Sequence, residues 1–550
     1  MCSTRLISTL LACSAGLAAQ QSYDLVVYGG TAGGVMTAVA GARQGLKTVL
    51  LEPRAHVGGM ATGGLSRTDV GKREVIGGLA LEFYARVGQR YEMTRYLNPV
   101  AWFYEPRVGE SVMKEMLADA GVKVVFQQRL REKEGVRKQG TTVTEIVMEN
   151  GQAYRAKVFA DCTYEGDLMA QSKVSYTWGR EASSQYGEAL AGVRDRTPLH
   201  QFMVDVPATG PDGKLLPEIS AEPRGAAGSA DKRVQAYNFR VIATNNPANR
   251  IAWPKPDSYD AKRYELLARL LPAMEMKLGR PQVFNEVVLI ANIPNQKADF
   301  NNQGAFSSDY IGKNYDYPNG AYQRRAEIWK EHVDYQQGFY YFLANDPRVP
   351  PTLQQEVRQW GLPKDEYEDT GNWPHQLYVR EARRMVGEYV LIQKDLQTEL
   401  TKPDVIGMGS YNSDSHNVQR IMNANGFAEN EGDMQVGVQP YQIPFRMLLP
   451  KRAEATNLLV PVCFSASHVA YSSARMEPQY MIIGHAAGVA AKLAISGNKP
   501  VQEVSVLELQ KILKSQGGVF DYVPYPQQGA MGIVQRMMQP KGPARSNWEY

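Results

Sequence analysis

A strand, a glycine turn, a helix and a second strand open the chain and limit what it can fold into. The apolar run 25–28 leads into a turn at 29–34 that holds four glycines, and a second run at 46–51 ends at Glu52. In such a unit the pyrophosphate of a dinucleotide lies on backbone N–H groups at the helix N-terminus, where side chains would obstruct it. Glu52 falls where an acidic residue binds a ribose hydroxyl. The sequence predicts a dinucleotide site; a glycine turn in another kind of α/β protein is the alternative.

The turn departs from the usual Gly-x-Gly-x-x-Gly pattern at its middle position. Gly29 and Gly34 take the outer positions, and Thr31 replaces the central glycine. A β-branched side chain crowds a phosphate there, although its hydroxyl could donate a hydrogen bond to a phosphate oxygen. The departure weakens the prediction of a generic dinucleotide site without removing it.

The segment after Glu52 favours FAD over a nicotinamide cofactor. Gly58 and Gly59 follow the second strand and precede Met60. A pair of glycines lets the backbone cross close to a cofactor, whereas a flexible surface loop is the alternative. His56 suggests covalent flavin attachment, but a position in a loop beside the cofactor is the simpler interpretation.

Size and charge narrow the class of protein. A chain of 550 residues is long enough for two or three domains, and 43% hydrophobic with 21% charged residues is typical of a folded globular protein. The net charge of +4 comes from 61 basic and 57 acidic residues without long runs of one sign. This charge pattern shows no basic run of the kind that binds nucleic acid, so a small-molecule substrate is the expected partner.

Residues 1–20 resemble a secretory signal peptide. One Arg precedes an apolar run at 6–17, and small residues follow before Gln20. No later stretch reaches about 18 uninterrupted apolar residues, so we expect no membrane span and an exported protein, periplasmic or extracellular. Cys13 lies in a lipoprotein-like box, which makes a lipid anchor the alternative.

Two cysteines remain after the predicted leader, Cys162 and Cys463. They could form one disulfide after export, but each lies in an apolar, strand-like run, which favours inert core thiols. Neither has a Cys or His neighbour at zinc spacing, so no metal site is predicted.

Periodicity divides the rest of the chain into elements. It predicts helices over 111–120, 378–389, 481–491 and 504–513, and strands over 121–126, 143–148, 154–159 and 457–464. From about 175 to 440 the sequence is rich in Asn, Gln, Tyr, Trp and Pro, which suggests a substrate domain inserted into a cofactor domain. A helix beginning after Glu477 and Pro478 would direct its positive end at a flavin ring.

Together these motifs resemble one family, the FAD-dependent oxidoreductases of exported bacterial proteins, some of which are named xanthan lyase. The matching segments are 28–31, 58–65, 161–168, 378–385, 410–416, 465–468 and 475–478. The resemblance covers most of residues 23–500 and implies an α/β fold: a glutathione-reductase-like, FAD-binding Rossmann domain, discontinuous, with an inserted mixed α+β substrate domain. The expected boundaries are 21–175 and 440–500 for the FAD domain, 176–439 for the substrate domain, and 501–550 for a C-terminal helix and tail.

The resemblance also implies non-covalent, extended FAD and a set of contacts to it. A Thr in the middle of the glycine turn is usual in this family. The pyrophosphate would meet Gly29, Gly30, Thr31, Gly33 and Gly34; the adenosine ribose Glu52; the adenine Leu130; and the flavin Gly58, Gly59, Met60, Arg475, Met476 and Glu477. Asp161 lies in the polar turn that returns the chain to the cofactor.

The sequence offers two histidines as a catalytic base. His416 and His468 lie in polar segments that match the family motifs, and Asp414 would orient His416 if the two meet in space. The alternative for each histidine is a structural hydrogen bond. Segments rich in Asn and aromatic residues at 295–302, 373–375 and 411–412 suit a polyhydroxylated ligand, unless they only hold loops in place.

Three functions fit the sequence. The first is an FAD-dependent dehydrogenase or oxidase that oxidises a small polar, carbohydrate-like substrate by hydride transfer to the flavin. The second is an FAD-containing lyase or isomerase that acts on a carbohydrate without net redox change, and the third is a carbohydrate-binding protein that has lost the cofactor. After export, oxygen, a quinone or a redox protein is a more plausible electron acceptor than NADP.

Overall fold

A computed structural model describes residues 21–93 and 100–524. The predicted leader at 1–20, with Cys13, and the last part of the predicted tail, at 525–550, lie outside the described residues.

The described residues form α-helices and β-strands along their whole length. The helices are α1 Ala32–Arg43, α2 Gly78–Arg90, α3 Pro106–Asp119, α4 Asp167–Gln171, α5 Ser183–Tyr186, α6 Glu265–Leu278, α7 Tyr322–Asn345, α8 Pro351–Arg358, α9 Gln393–Gln397, α10 His468–Ala474, α11 Glu477–Gly497 and α12 Val506–Ser515. The strands are β1 Gln21–Tyr28, β2 Thr48–Leu51, β3 Lys123–Val125, β4 Val136–Gln139, β5 Thr142–Val147, β6 Ala153–Asp161, β7 Tyr176–Thr177, β8 Val241–Thr244, β9 Arg250–Ile251, β10 Val288–Ile293, β11 Lys297–Asn302, β12 Leu362–Pro363, β13 Arg384–Met385, β14 Val405–Gly409, β15 Ser413–Ser415, β16 Gln419–Met422, β17 Ala428–Glu431, β18 Met434–Val436, β19 Tyr441–Pro444 and β20 Leu458–Leu459.

One mixed sheet organises the cofactor side of the molecule. Its strand order is β3-β2-β1-β6-β5-β4, and β20 pairs with the second half of β6. Strands β3, β2, β1, β6 and β20 are parallel, whereas β5 and β4 run antiparallel to their neighbours. Tyr28 at the end of β1 faces Leu51 on one side and Asp161 on the other. The carboxyl ends of β1, β2 and β6 therefore meet at one edge, and the α/β fold is confirmed.

Helices α1 and α11 cross beside this sheet at a distance that only glycine permits. A Cβ on Gly484 would overlap the carbonyl oxygen of Gly33, and one on Gly488 would overlap that of Thr37. α11 is long and apolar enough to cross a membrane by length and composition, but 72% of its most apolar 18-residue window is buried in the protein. Its apolar character is thus explained by burial within the core.

The other strands form small sheets. β8, β11 and β10 make a three-stranded antiparallel sheet, and the remaining pairs are two-stranded. The 24-residue helix α7 packs into the same hydrophobic cluster as α1 and α11, through side chains such as Phe339. The residues between 176 and 439 thus share a core with the large sheet.

Most predicted elements are present, with shifted ends. The predicted helix at 111–120 lies almost entirely within α3, those at 481–491 and 504–513 correspond to α11 and α12, and the strands at 143–148 and 154–159 correspond to β5 and β6. The strand at 121–126 shortens to β3, and that at 457–464 shortens to β20.

The predicted helix at 378–389 is wrong. The segment is extended, and its only regular part is β13, which pairs with β7. Its arginines are buried, where they satisfy backbone carbonyls: Arg380 donates to Ala236 O (2.7 Å) and Arg384 to Ala466 O (3.0 Å). Since both faces of the segment are covered, the apolar spacing of three and four residues does not mark a helix face.

Cys162 and Cys463 are buried free thiols. Burial raises the pKa of both. They are inert core thiols, as the sequence favoured.

Candidate cofactor site and active site

The turn between β1 and α1 is built by close packing. Gly29 has φ +101°, and a Cβ there would lie 2.8 Å from the backbone carbon of Cys162. A Cβ on Gly34 would overlap the carbonyl oxygen of Gly29. Gly29 and Gly34 therefore leave no room for side chains at their own positions in the turn, and the first N–H groups of α1 have no partner within the helix. This is the geometry that receives a pyrophosphate.

Thr31 caps α1 instead of meeting a phosphate through its hydroxyl proton. Its Oγ1 accepts from Gly34 N (3.2 Å) and donates to Cys162 O (2.8 Å). Because a hydroxyl has one proton, the suggested hydrogen bond from Thr31 to a phosphate oxygen is not available in this arrangement. The side chain instead ties the turn to the end of β6.

Glu52 lies against this turn. Its Oε2 accepts from Gly30 N and its Oε1 from Arg54 N, both at 2.7 Å. Burial raises the pKa of Glu52 to about 7, against the two backbone hydrogen bonds, which lower it. The carboxyl group thus stands at the carboxyl end of β2, next to the pyrophosphate cradle, where a ribose-binding acid is expected.

The glycine pair after β2 meets the first residue of α11 through one tyrosine. Met60 N donates to the Tyr164 hydroxyl (2.9 Å), which in turn donates to Glu477 Oε1 (2.7 Å). Gly58 and Gly59 have φ +105° and +55°. The structure therefore brings together segments that are more than 400 residues apart in the chain, which were both assigned to the flavin by resemblance.

Two further predicted cofactor residues have protein partners. Leu130 N donates to the Tyr28 hydroxyl and Leu130 O accepts from the Tyr322 hydroxyl, both at 2.9 Å. Asp161 accepts from Thr163 N (3.1 Å) through Oδ1 and from Met169 N (2.8 Å) through Oδ2. Asp161 therefore orders the turn after β6, and direct contact of either residue with FAD stays a prediction.

Several buried polar atoms at the start of α11 lack partners among the residues described. They are Glu477 Oε2, both amide atoms of Gln479, and Arg475 Nε. Buried polar groups usually have a hydrogen-bond partner, so these atoms are candidates for hydrogen bonds with a polar ligand. With the bare turn and Glu52, these residues fit FAD from its ribose to its ring.

Arg475 joins this end of the cofactor site to a polar cleft. It donates to the Tyr378 hydroxyl (2.9 Å) and to Asp414 O (2.8 Å), and it is 2% exposed. Tyr411 donates to Asp69 Oδ1 (3.1 Å). We call Asp69, Tyr378, Tyr411, Asp414 and His416 the polar cleft.

His416 is held by a carboxylate that the sequence did not suggest. Its Nδ1 lies 2.7 Å from Asp309 Oδ2, whereas its Nε2 lies 3.7 Å from Asp414 Oδ1, too far for a hydrogen bond. Burial alone would raise the pKa of Asp309, but the charges of Arg380 and His416 lower it to about 2. The ionised Asp309 accepts the Nδ1 proton and leaves Nε2 as an acceptor. The prediction that Asp414 orients His416 is therefore corrected to Asp309.

His468 has no such free nitrogen. Its Nδ1 lies 2.7 Å from Glu381 Oε2 and its Nε2 3.2 Å from Ser415 Oγ. Burial, together with the charge of Arg384, lowers its pKa to about 3. The histidine begins α10, which packs against β15, the strand that ends just before His416, and it has the contacts of a structural hydrogen-bonding residue.

Asp69 and Tyr411 were not singled out as a pair by the sequence. Asp69 is partly exposed, and burial raises its pKa, with the charge of Asp414 acting in the same direction. The two residues are 342 positions apart in the chain. No short-range pattern relates them, and of the two only Tyr411 lies in a segment that the sequence singled out, 410–416.

Three carboxylates of the described residues could hold a metal ion by their spacing: Glu105, Asp365 and Glu366. The buried ammonium group of Lys297 lies 2.6 to 2.8 Å from an oxygen of each. The lysine supplies the positive charge that an ion would bring, so the cluster reads as a structural ion-pair network.

A surface cavity of about 610 Å³ lies elsewhere, lined by residues that include Trp178, Tyr315 and Arg324. None of the residues that line it belongs to the polar cleft or to the cofactor contacts above. Arg324, one of the three basic residues that line the cavity, is paired with Asp316 and Glu331.

The family profile described as FAD dependent oxidoreductase matches residues 24–513. No curated protein matches the chain. Among solved structures, the chain is similar to the L-amino acid deaminase from Proteus vulgaris, with 16% identity over 29% of this chain and 52% of that chain and a TM-score of 0.23. A double mutant of the flavin monooxygenase from Stenotrophomonas maltophilia gives 16% identity over 26% and 38%, with a TM-score of 0.19. The chain spans about half or less of the length of these proteins.

The family profile defines a flavin-dependent redox protein, and the glycine turn and the position of Glu52 agree with it. The chain belongs to the FAD-dependent oxidoreductase family, and FAD is its cofactor.

Proposed function

We propose that the protein oxidises a small polar substrate, an alcohol or an amine, in the polar cleft, with His416 as the base. The observation that carries the proposal is the Asp309–His416 pair, in which Nδ1 is held at 2.7 Å and Nε2 has no hydrogen-bond partner among the described residues. Such a pair fixes the tautomer that accepts a proton through Nε2.

In the proposed reaction the substrate loses a hydride from carbon and a proton from its hydroxyl or amino group. Bound FAD supplies the two-electron acceptor for the hydride. His416 Nε2 takes the proton, and the carboxylate of Asp309 stabilises the imidazolium that forms. The product is a carbonyl compound or an imine, so atoms and electrons balance within the substrate, the histidine and the cofactor.

The polar cleft supports a substrate with several hydroxyl groups. Asp69 and Asp414 offer carboxylate oxygens, and Tyr378 and Tyr411 offer hydroxyl groups beside apolar rings. Carboxylates accept hydrogen bonds from hydroxyls, while aromatic rings pack against the apolar face of a sugar. We therefore propose a carbohydrate-like substrate, as the Tyr411 segment suggested.

An anaerobic absorption spectrum tests this function. The purified, FAD-loaded protein is mixed with neutral sugars, sugar acids, alcohols and amines, and the flavin bands are followed. Bleaching by one compound is the expected result and names the substrate class. Turnover without bleaching would replace the proposal by a lyase or isomerase reaction, and a protein that stays colourless after added FAD would contradict a flavin enzyme altogether.

Oxygen, a quinone or a redox protein is the proposed electron acceptor. The reduced protein is mixed with each candidate, and reappearance of the flavin bands is measured. Rapid reduction of the flavin by NADPH or NADH would argue against this choice.

Export and a discontinuous cofactor domain are proposed as well. The parallel pairing of β20 with β6 and the packing of α11 on α1 support a cofactor domain made of 21–175 and 440–500 around an insert at 176–439. Cell fractionation with and without residues 1–20 tests export, and recovery of the full-length protein in the cytoplasm would contradict it.

A further inference from the structure

The carboxyl group of Glu477 is buried where the flavin loop meets the start of α11. It is 1% exposed. Its Oε1 accepts a hydrogen bond from the Tyr164 hydroxyl. The oxygen of that hydroxyl in turn accepts a hydrogen bond from Met60 N. Its Oε2 has no hydrogen-bond partner within residues 21–93 and 100–524. One oxygen is thus fixed as an acceptor, and the other is free to carry a proton.

Among the described groups around Glu477, none forms an ion pair with it. Arg475 acts on it electrostatically, but its guanidinium donates to Tyr378 and Asp414 instead. The other titratable neighbours are phenols: Tyr84 from α2, Tyr104 from the segment before α3, Tyr164 after β6, and Tyr480 from α11. Burial raises the pKa of Glu477 to about 8, against the opposing effects of Tyr164 and Arg475. Near neutral pH the carboxyl group is therefore protonated.

We propose that Glu477 is a positioning residue that donates a hydrogen bond from Oε2 to the flavin edge of bound FAD as a neutral acid, and that its ionisation lowers the flavin reduction potential. The inference rests on the proposed function, because it requires a flavin that is reduced. A reduced flavin is more electron-rich than an oxidised one, so a donor favours the reduced form, as the N-terminus of α11 does. An ionised Glu477 would instead repel the reduced form.

The test is the flavin midpoint potential of the FAD-loaded protein as a function of pH. The wild type and E477Q are compared, since glutamine keeps a donor and cannot ionise. We expect similar potentials near pH 7 and an additional fall in the wild type alone above about pH 8. A tenfold loss of preference for reduced flavin corresponds to about 30 mV for this two-electron couple. Wild type and E477Q that follow one curve at all pH values would overturn the proposal.

A second variant keeps the carboxyl group and changes only its partner. Tyr164→Phe removes the hydroxyl that stabilises ionised Glu477. The break in the curve, which is the pH at which the midpoint potential begins its additional fall, should therefore move to higher pH. A break at an unchanged pH would contradict the role of this hydrogen bond. Glu188→Gln is the matched control: Glu188 is a buried carboxyl that accepts from Ser467 and takes no part in the Met60–Tyr164–Glu477 hydrogen bonds, so its replacement should leave the curve unchanged.

The wild type alone separates this inference from the proposed function. One outcome is a protein that binds FAD and is reduced by substrate while its midpoint potential shows no break between pH 7 and pH 9.5, a range that spans the Glu477 pKa of about 8. That result would refute the role of Glu477 only. A protein that binds no FAD would refute the proposed function itself.

Discussion

The two candidate histidines, His416 and His468, differ in the hydrogen-bond partners of their ring nitrogens. Both nitrogens of His468 have protein partners, whereas His416 has a carboxylate on Nδ1 and, among the residues the structure describes, no hydrogen-bond partner on Nε2. The sequence placed both in polar segments and could not distinguish them, because Asp309 lies 107 residues from His416. A partner at that distance leaves no trace in local spacing.

Replacing His416 by Gln should slow flavin reduction by about 10²- to 10⁴-fold, the usual contribution of a general base. The rate is measured by stopped-flow mixing with the substrate found above. FAD content should be unchanged. His485→Gln is the control, since His485 Nε2 pairs with Gln516, the residue that follows α12, and not with a residue of the polar cleft. Equal rates for His416→Gln and the wild type would remove His416 from the mechanism.

The pH dependence of flavin reduction should also report His416. Burial and the charge of Arg380 lower its pKa, and the base acts only when it is neutral. The rate should therefore rise with pH and reach its plateau at a lower pH than a histidine with the ordinary pKa of about 6.5 would give. Asp309→Asn, which withdraws the negative charge, should lower the plateau. A rate that climbs only above pH 8 would point to another base.

At the scale of elements, local patterns predicted the units that form over short distances. The β1–α1–β2 unit and α11 follow from glycine placement and apolar runs within about 30 residues. The segment 378–389 failed because its arginines are buried and bonded to backbone carbonyls of distant residues. A helix prediction from apolar periodicity assumes that one face is exposed to solvent, and this segment has no such face.

The crossing of α1 and α11 gives a prediction on stability. Gly484→Ala would place a methyl group on the carbonyl oxygen of Gly33, so the helices must separate. Overpacking of this kind costs about 1–3 kcal/mol of the free energy of unfolding. Gly497→Ala is the control in the same helix, because its Cβ would approach only the flexible Lys499 side chain, at 3.5 Å or more. Chemical denaturation compares the two, and equal stabilities would contradict the close crossing.

Across the whole molecule, Lys297 connects parts of the chain that are far apart in sequence. Its ammonium group joins β11 to Glu105 before α3 and to Asp365 and Glu366 after β12. The buried Lys297 holds these segments together, because removing it would leave three carboxylates with one half-exposed cation, Arg107, which also pairs with each of them.

Lys297→Met should lower the free energy of unfolding by about 3–5 kcal/mol, the cost of breaking a buried ion pair. The control is Lys394→Met, whose partner Glu399 is exposed, and it should cost about 0–1 kcal/mol. Both are measured by denaturant titration at neutral pH. A loss for Lys297→Met no larger than for the control would mean that the network contributes little.

The flavin end of the site has a consequence for how the protein is made. Met60 and Glu477 meet through one tyrosine, and α1 rests on α11. During synthesis the first of these segments leaves the ribosome more than 400 residues before the second. If these segments hold the flavin as proposed, cofactor loading is a late event in synthesis, because nascent chains that stop before α11 lack one of the two segments that meet at the flavin.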